Sequence, residues 1–460
     1  MKAIYDKEVV TGYKKLTEDD VKKLISNNEI EMIRVEYVDI FGVNRAKLIP
    51  SEMVDEAMKD GLAFASAIFC MGLDNSLVEY EGKLDYTYDD MKIVADPSTF
   101  IVLPYLEKTA LMLGDIYYHE KPMNISPRWF LKNIIDKYLE LGYNPIAAGE
   151  LEFFLFNRCE DGKSITQYTN QPGNLYTENI RIDRKGFLPQ ITKSFKKMGY
   201  KILYMNHEFY PGQYEYNWKY GQALKNADEI SIFKGVCKDI ADKNDLMATF
   251  MAKPLNGNGG SGCHYHVSLN GLETGKNVFY DESDSEGISE TMKHFIAGVL
   301  KHAKALVAFL APTINCYKRY CPDSFAPCHI GWGYDNRTTY IRIPDERKGA
   351  TRVEVRAGSA AANPYLALGG ILAAGLDGII NKLDPPEVIK SDLYHDEEKQ
   401  VEYVPRSLEE SLKLIEDDKF LCDMAGEDLM KIFLALKRME VENFNRSVTD
   451  WEWKNYSYHI

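Results

Sequence analysis

A chain of 460 residues is long enough for a large core and two domains. Its composition, 45% hydrophobic and 27% charged, is that of a soluble globular protein. The formal charge of -14 argues against a nucleic-acid partner and against an anionic membrane surface.

Thr17 caps a helix expected over residues 16–30, with acids in its first turn. Glu31 to Val38 alternates as a strand, and Asp39 to Lys47 reads as a hairpin turn leading into a second. A short helix follows from Pro50 to Asp60, closed by Gly61. Alternation near Met91 to Val94, the run Phe100 to Leu103 and Leu111 to Tyr117 read as further strands. The expected first domain, residues 1–112, is thus a small mixed sheet; the second takes 113–460.

Ser126-Pro127 opens a helix running to about Leu141. Gly149-Glu-Leu-Glu-Phe-Phe-Leu-Phe156 is too apolar for a loop and reads as a strand. Residues 157–186 are polar and irregular, a surface loop. Ile191 to Met198 reads as a helix, Lys201 to Met205 as a strand, and Ala223 to Asp245 as a long helix. Pro254 to Gly262 is a glycine- and asparagine-rich loop; His264 to Leu269 is a strand. One helix is expected over 288–311, two short strands at Tyr340–Pro344 and Arg352–Arg356, and a closely packed helix over Ala360–Leu376. Leu408–Ile415 and Ala425–Asn445 are terminal helices. The eight cysteines form no C-x-x-C pair, so neither a zinc knuckle nor a disulfide framework is suggested. With no apolar leader and no long uncharged apolar run, the protein is expected to be cytoplasmic, without a membrane contact.

The chemistry starts at Glu150 and Glu152. Period two puts both on one strand face, with Leu151 and Phe153 behind. Two carboxylates side by side repel unless a cation joins them, and a solvated face fits poorly with the apolar run that follows. The pattern recurs: His264 and His266 share a face, as do Arg352, Glu354 and Arg356, while Glu208 and Glu215 flank a turn at Pro211-Gly212. A lone His-x-His is more often a satisfied structural pair, and a charged strand is often only solvated. Converged on one sheet, however, carboxylates and imidazoles suit Mg2+ or Mn2+, and arginines beside them suit phosphate.

These residues carry a resemblance. Gly149-Glu-Leu-Glu-Phe-Phe154, His207-Glu208, Pro211-Gly-Gln-Tyr-Glu215 and Ala248-Thr-Phe-Met-Ala-Lys-Pro254 are ordered marks of it. Gly260-Ser-Gly-Cys-His-Tyr-His266, Asn336-Arg337, Ile341-Arg-Ile-Pro344, Arg352-Val-Glu-Val-Arg356 and Asn363-Pro-Tyr365 continue it. The chain resembles the glutamine synthetase family, of the bacterial and archaeal type I kind, over nearly its whole length. The resemblance implies an α+β protein: an N-terminal β-grasp domain, then a catalytic domain with a curved antiparallel sheet flanked by helices. It implies a homo-oligomer, a dodecamer of two hexameric rings, with active sites between subunits. Carried over residue by residue, Glu152, Glu208 and Glu215 hold one metal and Glu150, His264 and Glu354 another, two or more Mg2+ or Mn2+ per site. His266 and Ser268 contact ATP, and Arg337, Arg342 and Arg352 its phosphates. Arg319 and Arg356 bind glutamate, beside Gly260. Asp39 reaches the amine site of the adjacent subunit, and with Arg337 it is implied to be catalytic.

Two departures lie at the amine end. Phe325, in Cys321-Pro-Asp-Ser-Phe-Ala-Pro327, stands where such synthetases carry a glutamate that helps take the proton from ammonium. Gly259 stands where they carry an asparagine. Ser324 to Pro327, with Trp332 to Thr338, is similar to γ-glutamylamide ligases of the polyamine or ethanolamine type, so Phe325 is expected to contact an organic amine. The implied activity is ATP-dependent joining of glutamate to that amine through γ-glutamyl phosphate. The alternatives are a glutamine synthetase using ammonia and a noncatalytic structural or regulatory ring. The loops 157–186 and 320–328 are expected to keep water out. Tyr394 lies where some relatives are adenylylated and reads as an ordinary exposed tyrosine.

Overall fold

The computed structural model describes residues 16–78, 88–161, 164–169, 175–178, 180–257, 259–396, 401–458 and 460. Parts of the expected polar loop (162–163, 170–174 and 179) and residue 258 of the glycine-rich loop lie outside the described residues.

The first helix, α1 (Glu18–Asn27), begins as its cap dictates. The Thr17 hydroxyl accepts from the Asp20 N–H, and the Asp20 carboxylate accepts from the Thr17 N–H. Seven strands then make the first sheet: β1 (Met32–Val38), β2 (Asn44–Pro50), β3 (Leu62–Ala65), β4 (Asp90–Ala95), β5 (Ile101–Val102), β6 (Thr109–Tyr118) and β7 (Lys121–Pro122). β1 pairs antiparallel with β2 and parallel with β6. Helix α2 (Val54–Lys59) is followed by Gly61, whose φ of +76° is the left-handed conformation glycine tolerates. β6 runs straight through residue 112, where a domain division was expected, and the sheet ends only at Pro122.

Helix α3 (Pro127–Glu140) has Ser126 at its cap and Pro127 in its first turn. It leads into β8 (Tyr143–Arg158), a strand of sixteen residues that starts well before Gly149. The second sheet has ten strands arranged around β8. The others are β9 (Ile165–Gln167), β10 (Ile202–His207), β11 (Gln213–Trp218), β12 (Gly221–Gln222), β13 (Leu246–Thr249), β14 (Cys263–Gly271), β15 (Trp332–Tyr334), β16 (Ile341–Ile343) and β17 (Val353–Val355). The main path is β10-β11-β8-β14-β17-β16-β15, antiparallel except between β15 and β16.

The helices after α3 are α4 (Phe187–Lys197), α5 (Ala223–Asp242), α6 (Glu290–Lys301), α7 (Ala303–Leu310), α8 (Pro364–Asn381), α9 (Leu408–Asp417), α10 (Lys419–Ala425), α11 (Glu427–Asn445) and α12 (Asp450–Tyr456). α3, α4 and α5 pack on strands of the second sheet, while α6, α7, α9, α10 and α11 pack on α8 or on one another. The single helix expected over 288–311 is two, α6 and α7. The break falls at His302, a buried imidazole whose ring nitrogens lie 2.5 Å from Asp418 and 3.1 Å from Asp377. The α8 helix is long and apolar enough to cross a membrane, but it carries Asp377, so it is not an uncharged run, and most of it is buried within the protein. Its small residues let helices touch, since a Cβ at Gly378 would lie 1.9 Å from the His294 carbonyl oxygen of α6.

Arg128 joins the two sheets. Its guanidinium donates to Asp115 (2.5 Å) and Asp96 (2.9 Å) on the first-sheet side and, through two bonds of 2.9 Å, to Asp228 of α5. The group is buried, so its charge is matched by carboxylates rather than by water.

Candidate active site

Side-chain alternation and antiparallel register place one polar row across the second sheet. Asn206 of β10 lies opposite Glu215 of β11, and Glu215 opposite Glu152 of β8. Glu150 of β8 lies opposite His264 of β14, His266 opposite Glu354 of β17, and Glu354 opposite Arg342 of β16. The intervening residues Leu151, Phe153, Tyr265, Val353 and Val355 are buried in the core behind the row.

At one end, Glu150, His264 and Glu354 each offer a ligand atom within 4.8 Å of the other two. His264 Nδ1 is 3.3 Å from Glu150 and 3.6 Å from Glu354. His266 Nε2 lies 3.0 Å from Glu150, and Arg352 Nε donates to His266 Nδ1 at 3.1 Å. Arg342 and Arg356 both donate to the fully buried Glu354, at 2.6 and 2.5 Å. Burial alone would raise Glu354, yet Arg356 and the two imidazoles bring it down to about 2. Burial likewise opposes ionisation of Glu150, and His266 and His264 overcome it, holding this carboxyl well below its ordinary value. His264 is shifted down by burial and by the Arg356 charge, against the opposing pull of Glu150 and Glu354.

At the other end the balance reverses. Burial, with the charges of Glu152 and Glu150, pushes Glu208 up to about 8. Burial and the neighbouring Glu150, Glu152 and Glu208 raise Glu215 well above its usual range. Asn206 donates to Glu208 (2.6 Å) and Asn217 to Glu215 (2.7 Å). Glu152 accepts from Gln213 Nε2 and from the Gly262 N–H, both at 3.0 Å. These amides were not singled out in the sequence. Gln213 sits two residues before Glu215 on the same strand, a signal that needed β11 to be recognised.

The donor set fits a hard divalent ion. Among the described residues, His264 Nε2 is buried without a hydrogen-bond partner. A Cβ at Gly262 would stand 3.1 Å from both His264 Nε2 and Glu152 Oε1, so glycine leaves the space between them open. Clustered acids that resist ionisation are relieved by a cation.

Arg319 and Arg356 are buried beside this cradle. A Cβ at Gly260 would lie 2.4 Å from the Ala252 carbonyl oxygen and 2.9 Å from Arg319 Cγ. Arg356 also donates to the carbonyls of Arg337 (3.1 Å) and Phe325 (3.0 Å). Phe325 is 44% exposed and stacks on Phe209, ring centroids 5.3 Å apart and planes 15° from parallel. Tyr210 occupies the space beside Gly259: a Cβ there would be 2.3 Å from the Tyr210 ring, so a side chain at 259 requires that ring to move. Tyr394 is not an ordinary exposed tyrosine. It is half-buried, and its hydroxyl donates to the Ala326 carbonyl at 2.8 Å. Arg337 is exposed, and Ser268 is half-buried on β14, in line with His264 and His266. Asp39 stands apart, in the β1–β2 turn. Its carboxylate accepts from the Phe41 and Val43 N–H groups, both at 2.9 Å, and from Arg45 at 2.8 Å.

Carboxylates placed for hard cations, with guanidiniums beside them on a curved sheet, are the equipment of a phosphoryl-transferring enzyme. Residues 124–456 match the family described as glutamine synthetase, catalytic domain. The chain is 35% identical to the glutamine synthetase of Thermotoga maritima over 458 residues, 96% of this chain and all of that one. It is 35% identical to the glutamine synthetase of Methanosarcina mazei, covering 96% of this chain and 97% of the relative. Among solved structures it is similar to GmaS, a γ-glutamylmethylamide synthetase, at 30% identity. The ligand-free form superposes with a TM-score of 0.84 over 94% of this chain and 98% of that one. The complex of GmaS with ADP gives 0.86 over 95% and 99%. The chain belongs to the glutamine synthetase family and is a ligase of that family.

Proposed function

We propose that this ligase joins glutamate to an organic amine, making a γ-glutamyl amide at the expense of ATP. The observation that carries the reading is Phe325 stacked on Phe209, at the position where ammonium-using relatives are expected to carry a glutamate. A phenyl ring accepts no proton and offers an apolar face, which suits an alkyl chain. The likeness to GmaS supports it.

Glu152, Glu208 and Glu215 would hold one Mg2+ or Mn2+ and Glu150, His264 and Glu354 a second. Such ions, when bound, neutralise charge on the phosphates being transferred. Arg337, Arg342 and Arg352 face the nucleotide's phosphates, with His266 and Ser268 toward the nucleoside. Arg319 and Arg356 orient glutamate, with Gly260 giving its backbone room, so that the γ-carboxylate attacks the γ-phosphorus of ATP in line and ADP departs with the bridging oxygen. The acyl phosphate must meet an amine before water, and the 320–328 loop would serve to cover the place where it forms.

We also propose that the chain acts as an N-terminal and a catalytic unit, divided after the last strand of the first sheet at Pro122 rather than between residues 112 and 113, and that it assembles into stacked rings. Exposed Val448, Trp451, Trp453 and Ile460 near the C-terminus support assembly, because apolar side chains so displayed favour a partner surface. Asp39 would then serve the amine site of a neighbouring subunit from its β1–β2 turn.

The test is phosphate release with ATP, Mg2+ and glutamate against ammonium, methylamine, ethanolamine, putrescine and spermidine. Release that needs both glutamate and an organic amine is expected. Glutamine formation with a low KM for ammonium, and indifference to the amines, would overturn the proposal. That second reading, an ammonia-using synthetase, is favoured by the names of the 35% identical relatives.

A further inference from the structure

Phe209 has no place in the metal, nucleotide or glutamate assignments, yet it is half of the stack described above. It directly follows Glu208, so it belongs to the carboxylate end of the site. Phe325 belongs to the arginine end, since its carbonyl accepts from Arg356. The two rings therefore meet between the arginines and the carboxylates, where on the proposed assignments glutamate would face the cations.

The pair is not a core contact. Phe209 is 42% exposed and Phe325 44%, although rings packed only for stability are driven out of water. Both loops are also held in place rather than left to collapse onto the stack. Phe325 is a non-glycine residue at φ +56°, and Asp323 is another at +63°. Such backbone is unfavourable for a residue with a side chain and persists only where its surroundings enforce it. Here the Arg356 bond, the Tyr394 hydroxyl on Ala326 and the Ser324 hydroxyl on the Arg319 carbonyl (3.0 Å) do so. On the other side, the loop that presents Phe209 is closed by the Glu208 N–H on the Gln213 carbonyl and the Gln213 N–H on the Tyr210 carbonyl, both at 2.9 Å, and Tyr210 packs directly over Gly259.

We propose that Phe209 is a specificity-determining residue for the acceptor, forming with Phe325 an apolar platform along which the alkyl chain of a primary amine lies. The inference rests on the organic-amine reading and deepens it. The nitrogen end points toward the carboxylates, and the methylenes cover the exposed ring surface. Contact area then grows with chain length, so n-alkylamines should be taken in order of length until the chain outruns the platform.

The experiment measures KM for methylamine, ethylamine, n-propylamine and n-butylamine, and for glutamate and ATP, in the wild type and in Phe209→Ala, Phe209→Leu and Phe209→Tyr. In the wild type KM should fall along the series. Phe209→Ala should raise the n-butylamine KM about tenfold and methylamine's far less, flattening the series. Tyrosine, which keeps the ring face, should retain the slope, and leucine should keep part of it. Phe209 is partly exposed, so the alanine variant should fold, and an equal thermal shift with ADP will check that it has.

An unchanged slope in Phe209→Ala overturns the proposal. So does a parallel rise in the glutamate and ATP KM values, which would mean that the ring only braces the loops. Either result, with the wild type still using amines, leaves the organic-amine reading standing. A wild type that turns over with ammonium alone defeats both.

Discussion

Gly262→Ala is the sharpest test of the metal and glutamate cradle. Gly262 bridges the two halves of the site: its N–H donates to the Glu152 carboxylate (3.0 Å), and its carbonyl accepts from the Glu152 N–H (3.1 Å). Its φ is not left-handed, so alanine meets no backbone penalty and the effect is purely steric. The new methyl would sit 2.7 Å from Arg319 Nη2 and 3.1 Å from both Glu152 Oε1 and His264 Nε2. Against an unstrained contact of about 3.5 Å, the guanidinium must retreat by ~0.8 Å. Arg319 is 4% exposed and has little space to do so. The overpacking should cost about 1–3 kcal/mol of stability. Displacing a substrate-positioning group by nearly an ångström should lower turnover about a hundredfold and raise the glutamate KM. Phosphate release at saturating ATP measures the first, a glutamate titration the second and thermal unfolding the third. Gly221→Ala is the control, since a Cβ there meets nothing within 4 Å. If Gly262→Ala retains wild-type turnover and glutamate KM, the cradle of His264, Glu152 and Arg319 is not where the substrate and its cation lie.

Arg128→Met should lower stability by about 3–5 kcal/mol in a urea titration, because Asp96, Asp115 and Asp228 lose the guanidinium they share; an unmoved midpoint would show the joint to be dispensable. Burial opposes but Arg128 overcomes it, holding Asp96 down to about 2. A lowered carboxylate stabilises above its unfolded pKa of about 3.9 and loses that contribution as pH falls toward 2, so the wild-type advantage over Arg128→Met should shrink over that interval. Glu208 has the opposite sign. Raised to about 8, it favours the fold in its protonated form, so the metal-free protein should lose thermal stability as pH rises from about 5 to 8. Mg2+ or Mn2+ should cancel that loss, with proton release on binding at pH 7 measurable by calorimetry in two buffers; binding without proton release would contradict it. Tyr394→Phe removes the bond to the Ala326 carbonyl, worth about 1 kcal/mol, and should raise the amine KM about fivefold. An unchanged KM would mean the 320–328 loop holds its shape without this hydroxyl.

Much of the polar row was legible because strand alternation is a local rule. Glu150 with Glu152, His264 with His266 and Arg352 with Glu354 can each be placed on one face from sequence alone. What alternation cannot provide is adjacency. That Glu354 lies between His266 and Arg342 depends on the pairing of β14, β17 and β16, which are far apart in the chain. β11 was hidden because Gln-Tyr-Glu-Tyr-Asn-Trp follows closely on Pro211-Gly212 and reads as the flank of a turn. The first half of β8 was hidden by Asn144 and Pro145, poor strand residues in a stretch held by β14 and by the two-residue strand β12, neither of which is near it in the chain. The break at His302 was invisible for another reason: the apolar pattern continues through it, and the imidazole's two aspartate partners come from α8 and from the residue before α10. The Phe209–Phe325 stack joins two loops, where no periodicity exists to be read.

The register itself then needs a physical cause, because a one-residue slip would send His264 and His266 to the core and bring Cys263 and Tyr265 onto the polar row. Hydrophobic patterning resists the slip, but the start of β14 is also fixed by backbone. The Cys263 N–H donates to the Gly358 carbonyl, and the Ala360 N–H donates to the Ser261 carbonyl. A Cβ at Gly358 would stand 2.2 Å from the Cys263 carbonyl oxygen, so the two chains approach as closely as only glycine permits. On the neighbouring strand Gly149 does the same under α5, where a Cβ would meet the Ile230 side chain at 2.8 Å. The residues that carry the chemistry are thus aligned by ones that carry none. Glycines at 262 and 358 let β8, β14 and the segment after β17 come within contact distance, Gly149 lets α5 pack down on β8, and that closeness holds two carboxylates and an imidazole around one point.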